Sequence, residues 1–305
     1  MIRSVSIRRH PASFSAAIAL LLLISAADTA SGQLIFADGF ESGNTLAWTQ
    51  SVGEPPLVAP EVLRFSDLDL RDPHLFVPVP VIGCFDLTDQ DLPFGLGPSF
   101  NDQTETLITT DGDGDTFLDL SLLLQFRPLD PLATGLRLDL ASGLCTAPMA
   151  GTSCTVDPAT IPQTTSYNGQ AAGTCLAALA GTTSGYTPAV GSTPGPCFVT
   201  APRPVTLTLN GLPLLLRSFQ LAGTFTGSPE SVTNGLMRGF LRESDADAIL
   251  LPPDLPIVGG QPLSVILPGG TGNCAPGDDR DTHEGVSGWW FYLNYPADPV
   301  GFAGS

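Results

Sequence analysis

Apolar and polar residues alternate in several stretches of the chain from about residue 60 onward, and this pattern predicts β-strands. The segments 77–82 and 136–140 both place apolar side chains at alternate positions, as strands with one buried face do. Pro78 and Pro80 confine the first segment to the edge of a sheet, because proline has no N–H to donate to a neighbouring strand.

Two hairpins are predicted in the second half of the chain. An Asn-Gly pair at 210–211 separates two apolar runs, which is a strong local signal for a tight hairpin. The segments 219–227 and 232–241 lie on either side of a second turn and predict another hairpin. A helix is the alternative for 232–241, but Gly235 and Gly239 would each cost a helix about 1 kcal/mol and favour a strand.

The remaining segments complete the predicted domain. The segment 244–251 predicts a short helix, with Ser244 as its N-cap and acidic residues in its first turn. The run 118–126 fits either a strand or a short helix. The segment 145–197 is rich in Gly, Thr, Ser, Ala and Pro, so it predicts a long, disulfide-pinned loop that buries little apolar surface. The whole pattern predicts one mostly β, antiparallel β-sandwich-like domain over residues 60–303.

The N-terminal residues have the organisation of a secretory signal peptide. Three arginines precede an apolar run at 16–24, and mostly small residues follow at 27–32. The alternative, a membrane anchor, needs roughly 20 apolar residues. We therefore expect a cleaved leader at 1–30 and a tether at 31–59. The most apolar downstream stretch, 248–267, contains four prolines and cannot form a membrane helix.

The charge of the chain bears on its partners. All twelve basic residues are arginine, and removing the predicted leader leaves 9 basic and 29 acidic residues, a formal charge of 9 − 29 = −20. A surface of this sign repels phosphate backbones, which argues against nucleic acid as a partner. It favours divalent cations, although a salt-tolerant solvated surface is the alternative interpretation.

All six cysteines lie downstream of the predicted leader, and their even number predicts three disulfides formed in an oxidising compartment. Six cysteines allow fifteen pairings. We expect two short loops and one long one, formed by the pairs Cys145–Cys154, Cys175–Cys197 and Cys84–Cys274.

One short loop has the residue types and spacing of a metal site. Asp111, Asp113, Asp115 and Asp119 occupy relative positions 1, 3, 5 and 9, which suits a hard cation that binds oxygen.

Two segments resemble known protein modules. The 111–119 loop is similar to the DxDxDGxxD calcium loops of thrombospondin type 3, integrin-type propeller and dockerin modules, and this resemblance implies calcium. It also implies that Asp111, Asp113 and Asp115 each supply one carboxylate oxygen. Phe117 would then bind through its carbonyl, and Asp119 directly or through water. Phe-Ala-Asp-Gly-Phe-Glu-Ser-Gly at 36–43 resembles a segment that follows the signal peptide in many secreted bacterial proteins. As a whole, the chain looks like uncharacterised secreted proteins of bacteria, and the resemblance implies no activity.

The loop departs from those modules at two positions. Thr116 stands where they prefer glycine for a sharp turn, and Leu122 stands where EF-hands have a bidentate glutamate. Another segment must therefore complete the coordination shell, and we expect the donors to be Asp86, Asp89 and Asp91. A flexible acidic turn without an ion is the alternative, and magnesium fits less well than calcium because it demands tight octahedral geometry.

A second polar cluster lies at 277–284. Asp281 and His283 are its candidates for acid–base chemistry or for binding a transition metal. Because the cluster follows a glycine-rich stretch, a solvent-exposed loop is the simpler interpretation.

The segment 288–295 is the aromatic peak of the chain. On a strand, Trp289 and Phe291 would share one face, while Trp290 and Tyr292 would share the other. The second pair could stack on sugar rings, but core packing on both faces is favoured because aromatic side chains bury large areas.

These observations predict a secreted or periplasmic, calcium-stabilised structural or surface-binding protein without catalytic activity. An extracellular glycan or a cell-surface component is the partner class that fits. The alternatives are a secreted hydrolase acting on polysaccharide and a carbohydrate-binding module. No GxSxG, HExxH, phosphate-loop or GxGxxG motif is present, whereas a carboxylate pair of the glycosidase type needs no local motif.

Overall fold

The computed structural model describes residues 59–183, 186, 189–209, 211–228, 230–253 and 255–303. The predicted leader and nearly all of the predicted tether lie outside these residues. The strands are β1 (Glu61–Phe65), β2 (Asp69–Asp72), β3 (Phe76–Val79), β4 (Gly83–Asp86), β5 (Leu122–Arg127), β6 (Thr134–Cys145), β7 (Ser153–Val156), β8 (Gln163–Gln170), β9 (Thr174–Ala177), β10 (Ala189–Gly191), β11 (Cys197–Thr200), β12 (Arg203–Leu209), β13 (Leu212–Thr226), β14 (Ser231–Arg242), β15 (Asp281–His283), β16 (Val286–Pro299) and β17 (Gly301–Phe302). The helices are α1 (Phe100–Thr109) and α2 (Glu243–Ala248), with 3-10 turns at Pro93–Gly95 and Leu263–Ile266.

Eight antiparallel strands close into a barrel, in the order β6-β5-β1-β16-β14-β13-β11-β8. Closure comes from the pairing of β8 with β6, which runs from Thr134 opposite Asn168 to Leu140 opposite Gln163. The predicted β-sandwich is therefore wrong, because the two edges of one sheet pair with each other instead of leaving two facing sheets.

The physical reason for this correction lies in the polar segment 145–197. The sequence predicts a long loop here, yet the segment contains β8, and β11 begins at its last residue, so that it leads into both of the strands that complete the barrel. Of the eight residues of β8 only Tyr167 is buried. Backbone pairing with β6 and β11 holds this strand in the sheet. Its sequence therefore contains few of the apolar residues that would predict a buried strand.

Aromatic rings fill the barrel interior. Phe126 of β5 contacts Tyr167, Phe198 and Phe225 edge-on, with ring centroids 5.1, 5.3 and 5.6 Å apart. These partners come from β8, β11 and β13, so the contacts join strands that are distant in the sequence. Edge-to-face pairs of this kind add to the stabilisation that comes from burial.

The aromatic strand β16 is buried on both faces, which confirms the favoured interpretation. Trp289, Phe291 and Leu293 belong to the main core, whereas Trp290 and Tyr292 belong to a second cluster. This second cluster also contains buried side chains of the β9–β10 hairpin, which covers the outer face of β16.

The local predictions have mixed outcomes. Both hairpins are confirmed as β12–β13 and β13–β14, and 232–241 is a strand. The run 118–126 contains the start of the strand β5, and the segment 77–82 contributes to β3, which pairs only with β4. The predicted cap Ser244 is wrong, because β14 ends at Arg242 and α2 begins directly at Glu243 without a side-chain cap.

All three predicted disulfides are present, as Cys84–Cys274, Cys145–Cys154 and Cys175–Cys197. Three such bonds fit a protein that folds in an oxidising compartment. Within the described ranges, no helix has the length and apolar character needed to cross a membrane.

Candidate metal centre

The acidic loop follows helix α1 directly and returns the chain to β5. Ser99 begins the helix by accepting the N–H of Asp102 with its side chain, at 3.1 Å. At the other end, the N–H of Asp119 donates to the carbonyl of Thr110 at 3.1 Å, and the N–H of Leu120 donates to that of Leu107 at 2.8 Å. The two ends of the loop are therefore held together by backbone hydrogen bonds.

The carboxylate of Asp111 organises the interior of the loop. It accepts the N–H groups of Gly114 at 2.7 Å, Asp115 at 3.1 Å and Thr116 at 3.0 Å. Asp113 accepts the N–H of Asp115 at 3.0 Å. Short hydrogen bonds from aspartate side chains to N–H groups two to five residues later fix a tight turn.

Asp111, Asp113 and Asp115 each offer one carboxylate oxygen, and these oxygens lie within 4.8 Å of one another. Among the described residues, this is the one group of acidic, histidine or cysteine side chains close enough to hold a metal ion. All the donors are carboxylate oxygens, which suits a hard cation rather than a transition metal. The arrangement can hold such an ion if carbonyl groups and water complete the shell.

Asp119 and Phe117, the other two predicted ligands in this loop, are not part of the close group of three carboxylates. Both carboxylate oxygens of Asp119 accept the N–H of Gly112, at 3.1 Å. A Cβ atom on residue 112 would lie 2.8 Å from Asp119 Oδ2, so a larger residue there would displace the Asp119 carboxylate. Phe117 donates its N–H to Asp115 at 2.8 Å and forms an isolated bridge with Thr146. Asp119 thus closes the loop and is not part of the close group of three.

The structure does not bring Asp86, Asp89 and Asp91 to the loop. Asp89 accepts the side-chain amide of Asn101 at 2.7 Å, and Asp91 accepts the N–H of Ser99 at 3.0 Å. These contacts lie at the N-terminal end of α1, whereas the acidic loop follows its C-terminal end. A ten-residue helix separates its ends by about 15 Å. The predicted second set of donors is therefore on the wrong side of the helix.

Asp86 pairs with His74 instead, with 2.6 Å between Oδ2 and Nδ1. Burial raises the pKa of Asp86, but hydrogen bonds from His74 and Thr88 outweigh it and leave that pKa below its ordinary value. His74 also lines a cavity of about 280 Å³ together with Asp278 and Asp279. Burial, followed by the charge of Asp281, raises the pKa of Asp279 to about 6.

The other predicted acid–base candidate, His283, pairs with a residue that sequence reasoning missed. Ser218 Oγ lies 2.9 Å from His283 Nε2, at an irregularity of β13 where Ser218 has φ +47°. Glu284 lies 3.9 Å from the same ring nitrogen. It therefore does not orient the ring through Nδ1, as the third member of a catalytic triad would. No sequence signal joins Ser218 to His283, because 65 residues separate them.

The two candidate sugar-stacking residues are buried. Trp290 is 5% exposed and Tyr292 is 0% exposed. Trp290 packs against Phe240 and His283, with ring centroids 5.4 and 4.8 Å away. The hydroxyl of Tyr292 accepts the N–H of Leu179 at 3.0 Å. Neither ring offers a free face on which a sugar could stack.

No protein-family model, no curated protein and no solved structure matches the chain.

Proposed function

We propose that the chain is a secreted structural or surface-binding protein without catalytic activity, and that calcium stabilises its barrel. The observation that supports this most is the close approach of the Asp111, Asp113 and Asp115 oxygens, within 4.8 Å. Three carboxylates so close together repel one another, and a divalent cation between them removes that repulsion.

Calcium is preferred over magnesium because of the loop's construction. Its carboxylates are fixed by hydrogen bonds to N–H groups inside the loop. Calcium accepts six to eight oxygen ligands at flexible angles, so carbonyl groups and water can complete its shell. Magnesium demands a tighter octahedron and keeps more of its own water.

The location of the loop explains how an ion would stabilise the fold. The loop joins α1 to the barrel strand β5, and its residue Thr116 accepts the N–H of Ala147 at 2.9 Å, just beyond β6. A bound ion would therefore fix the connection between the helix and two neighbouring strands of the wall. The predicted leader and the three disulfides support export, and an extracellular glycan or cell-surface component remains the partner class we propose.

Isothermal titration of the metal-free chain with calcium and with magnesium tests this proposal. One calcium ion per chain is expected, with magnesium binding at least tenfold more weakly. Absence of calcium binding would overturn the proposal.

The position of Asp279 in a cavity and its raised pKa support a second candidate function, that of a secreted hydrolase. A carboxyl group that lines a cavity and has a pKa raised to about 6 can act as a general acid near neutral pH. Polysaccharide turnover that is lost in Asp279→Asn but retained in Asp278→Asn would favour this candidate over the non-catalytic one.

A further inference from the structure

A large apolar cavity, separate from the acidic loop, lies beside the barrel core. Its volume is about 510 Å³, which is within the range of roughly 300–1,000 Å³ typical of small-molecule sites. Leu70, Leu214 and Phe291 form part of its lining, and each is at most 5% exposed. Protein interiors are normally packed without voids of this size, so the cavity needs an explanation other than imperfect packing.

The rim of the cavity is apolar as well. Leu96 lines it and is 43% exposed, and Phe94 on the same turn is 81% exposed. Leu212 and Leu255, which are half-buried, line the cavity from the β12–β13 hairpin and from the segment after α2. Exposed apolar side chains beside an apolar cavity are typical of an entrance for a lipophilic ligand.

The polar content of the lining restricts the class of ligand. Among the lining residues that the structure describes, Gln103 is the one with a polar side chain, and none of them is charged. Its Nε2 donates to the carbonyl of Pro98 at 2.9 Å, which leaves Oε1 as an acceptor for a ligand hydroxyl. An anionic head group would find no cation among these described lining residues, in a chain of formal charge −18 that contains no lysine. Burying an unpaired charge is costly, so the lining disfavours a fatty-acid anion.

We propose that this cavity binds an uncharged aliphatic molecule with a hydroxyl end, such as a medium- or long-chain alcohol. The aliphatic part contacts the leucine-rich floor, and the hydroxyl donates to Gln103. This site is independent of the proposed calcium site, because no residue of the acidic loop lines the cavity.

Titration of the full chain with the neutral fluorescent probe N-phenyl-1-naphthylamine tests the proposal. We expect saturable binding of one probe per chain. Decan-1-ol should displace the probe, and decanoate at pH 8 should need at least tenfold higher concentration. Absence of saturable binding would overturn the proposal, and equal displacement by decanoate would overturn the claim that the site selects uncharged ligands.

Substitutions at the rim locate the binding site without changing the buried floor. Leu212→Trp and Leu255→Trp should each weaken probe binding at least tenfold by filling the entrance. Leu132→Trp is the matched control, because Leu132 is 58% exposed and does not line the cavity. Rim variants that keep their melting temperature and bind the probe as tightly as the control would show that the probe binds elsewhere and overturn the proposal.

Discussion

Thr116 donates its N–H to Asp111 Oδ2 at 3.0 Å while its own backbone has φ +82°. This φ lies in the left-handed region, which a β-branched residue rarely adopts and which costs of the order of 1–3 kcal/mol. The hydrogen bonds to the Asp111 carboxylate hold the strained residue in place. The calcium loops that this segment resembles prefer glycine at this position, and the positive φ gives the physical reason.

We predict that Thr116→Gly stabilises the protein by about 1 kcal/mol, because glycine adopts positive φ without strain. Gly114→Ala is the reciprocal variant. Gly114 has φ +80°, and a Cβ there would meet no atom within 4 Å, so any loss of stability is conformational rather than steric. Chemical denaturation of both variants measures the effects. Destabilisation by Thr116→Gly would contradict the interpretation of the turn.

Asp279 should make stability depend on pH between its ordinary pKa of 3.8 and its raised pKa of about 6. In this window the folded chain binds more protons than the unfolded chain, so its stability falls as pH rises. We predict that Asp279→Asn flattens this part of the profile of melting temperature against pH. An unchanged profile would contradict the raised pKa.

Asp278 provides a control whose pKa is lowered, whereas that of Asp279 is raised. Hydrogen bonds from Arg280 lower the pKa of Asp278 to about 2. Its contribution to stability is present above pH 4 and is lost as pH falls toward 2. Asp278→Asn should therefore change mainly the acid limb of the same profile, because the charge of Asp278 contributes least to the raised pKa of Asp279.

The three disulfides should differ in their contribution to stability. Cys84–Cys274 closes 190 residues, whereas Cys145–Cys154 closes 9. In the chain-entropy model, loops of these lengths correspond to about 5 and about 3 kcal/mol respectively. We predict a larger loss of unfolding free energy when both members of the long-range pair are replaced by alanine. A larger loss for the short-range pair would show that native packing around the bond outweighs loop closure.

The fold was predictable where its signals are local. The Asn-Gly turn at 210–211 and the glycines of 232–241 indicated the right hairpins, because turn chemistry and strand preference act over a few residues. Barrel closure was not predictable in the same way. It depends on the pairing of β8 with β6 through backbone hydrogen bonds, and β8 buries only Tyr167.

The candidate metal site was likewise predictable from the sequence only where its contacts are local. The grouping of Asp111, Asp113 and Asp115 follows from alternate positions in one tight loop, so the sequence indicated it. The expected contribution of Asp86, Asp89 and Asp91 failed because the length of α1 separates the two acidic segments. The pair of Ser218 and His283 depends on tertiary contact alone.

The most direct test of the central claim is the melting temperature of the chain in EDTA and in excess calcium, for the wild type and two variants. Asp113→Ala removes a carboxylate of the group of three and one hydrogen bond to the N–H two residues later. Asp157→Ala is the matched control, because Asp157 makes the same kind of hydrogen bond to Ala159 at 2.8 Å, outside the group.

We predict that calcium raises the melting temperature of the wild type and of Asp157→Ala by several degrees, since a ligand at 100 times its Kd stabilises the folded state by about 2.7 kcal/mol. Asp113→Ala should lose most of this increase. Equal melting temperatures in EDTA and in calcium for the wild type, or a full calcium response in Asp113→Ala, would contradict the account.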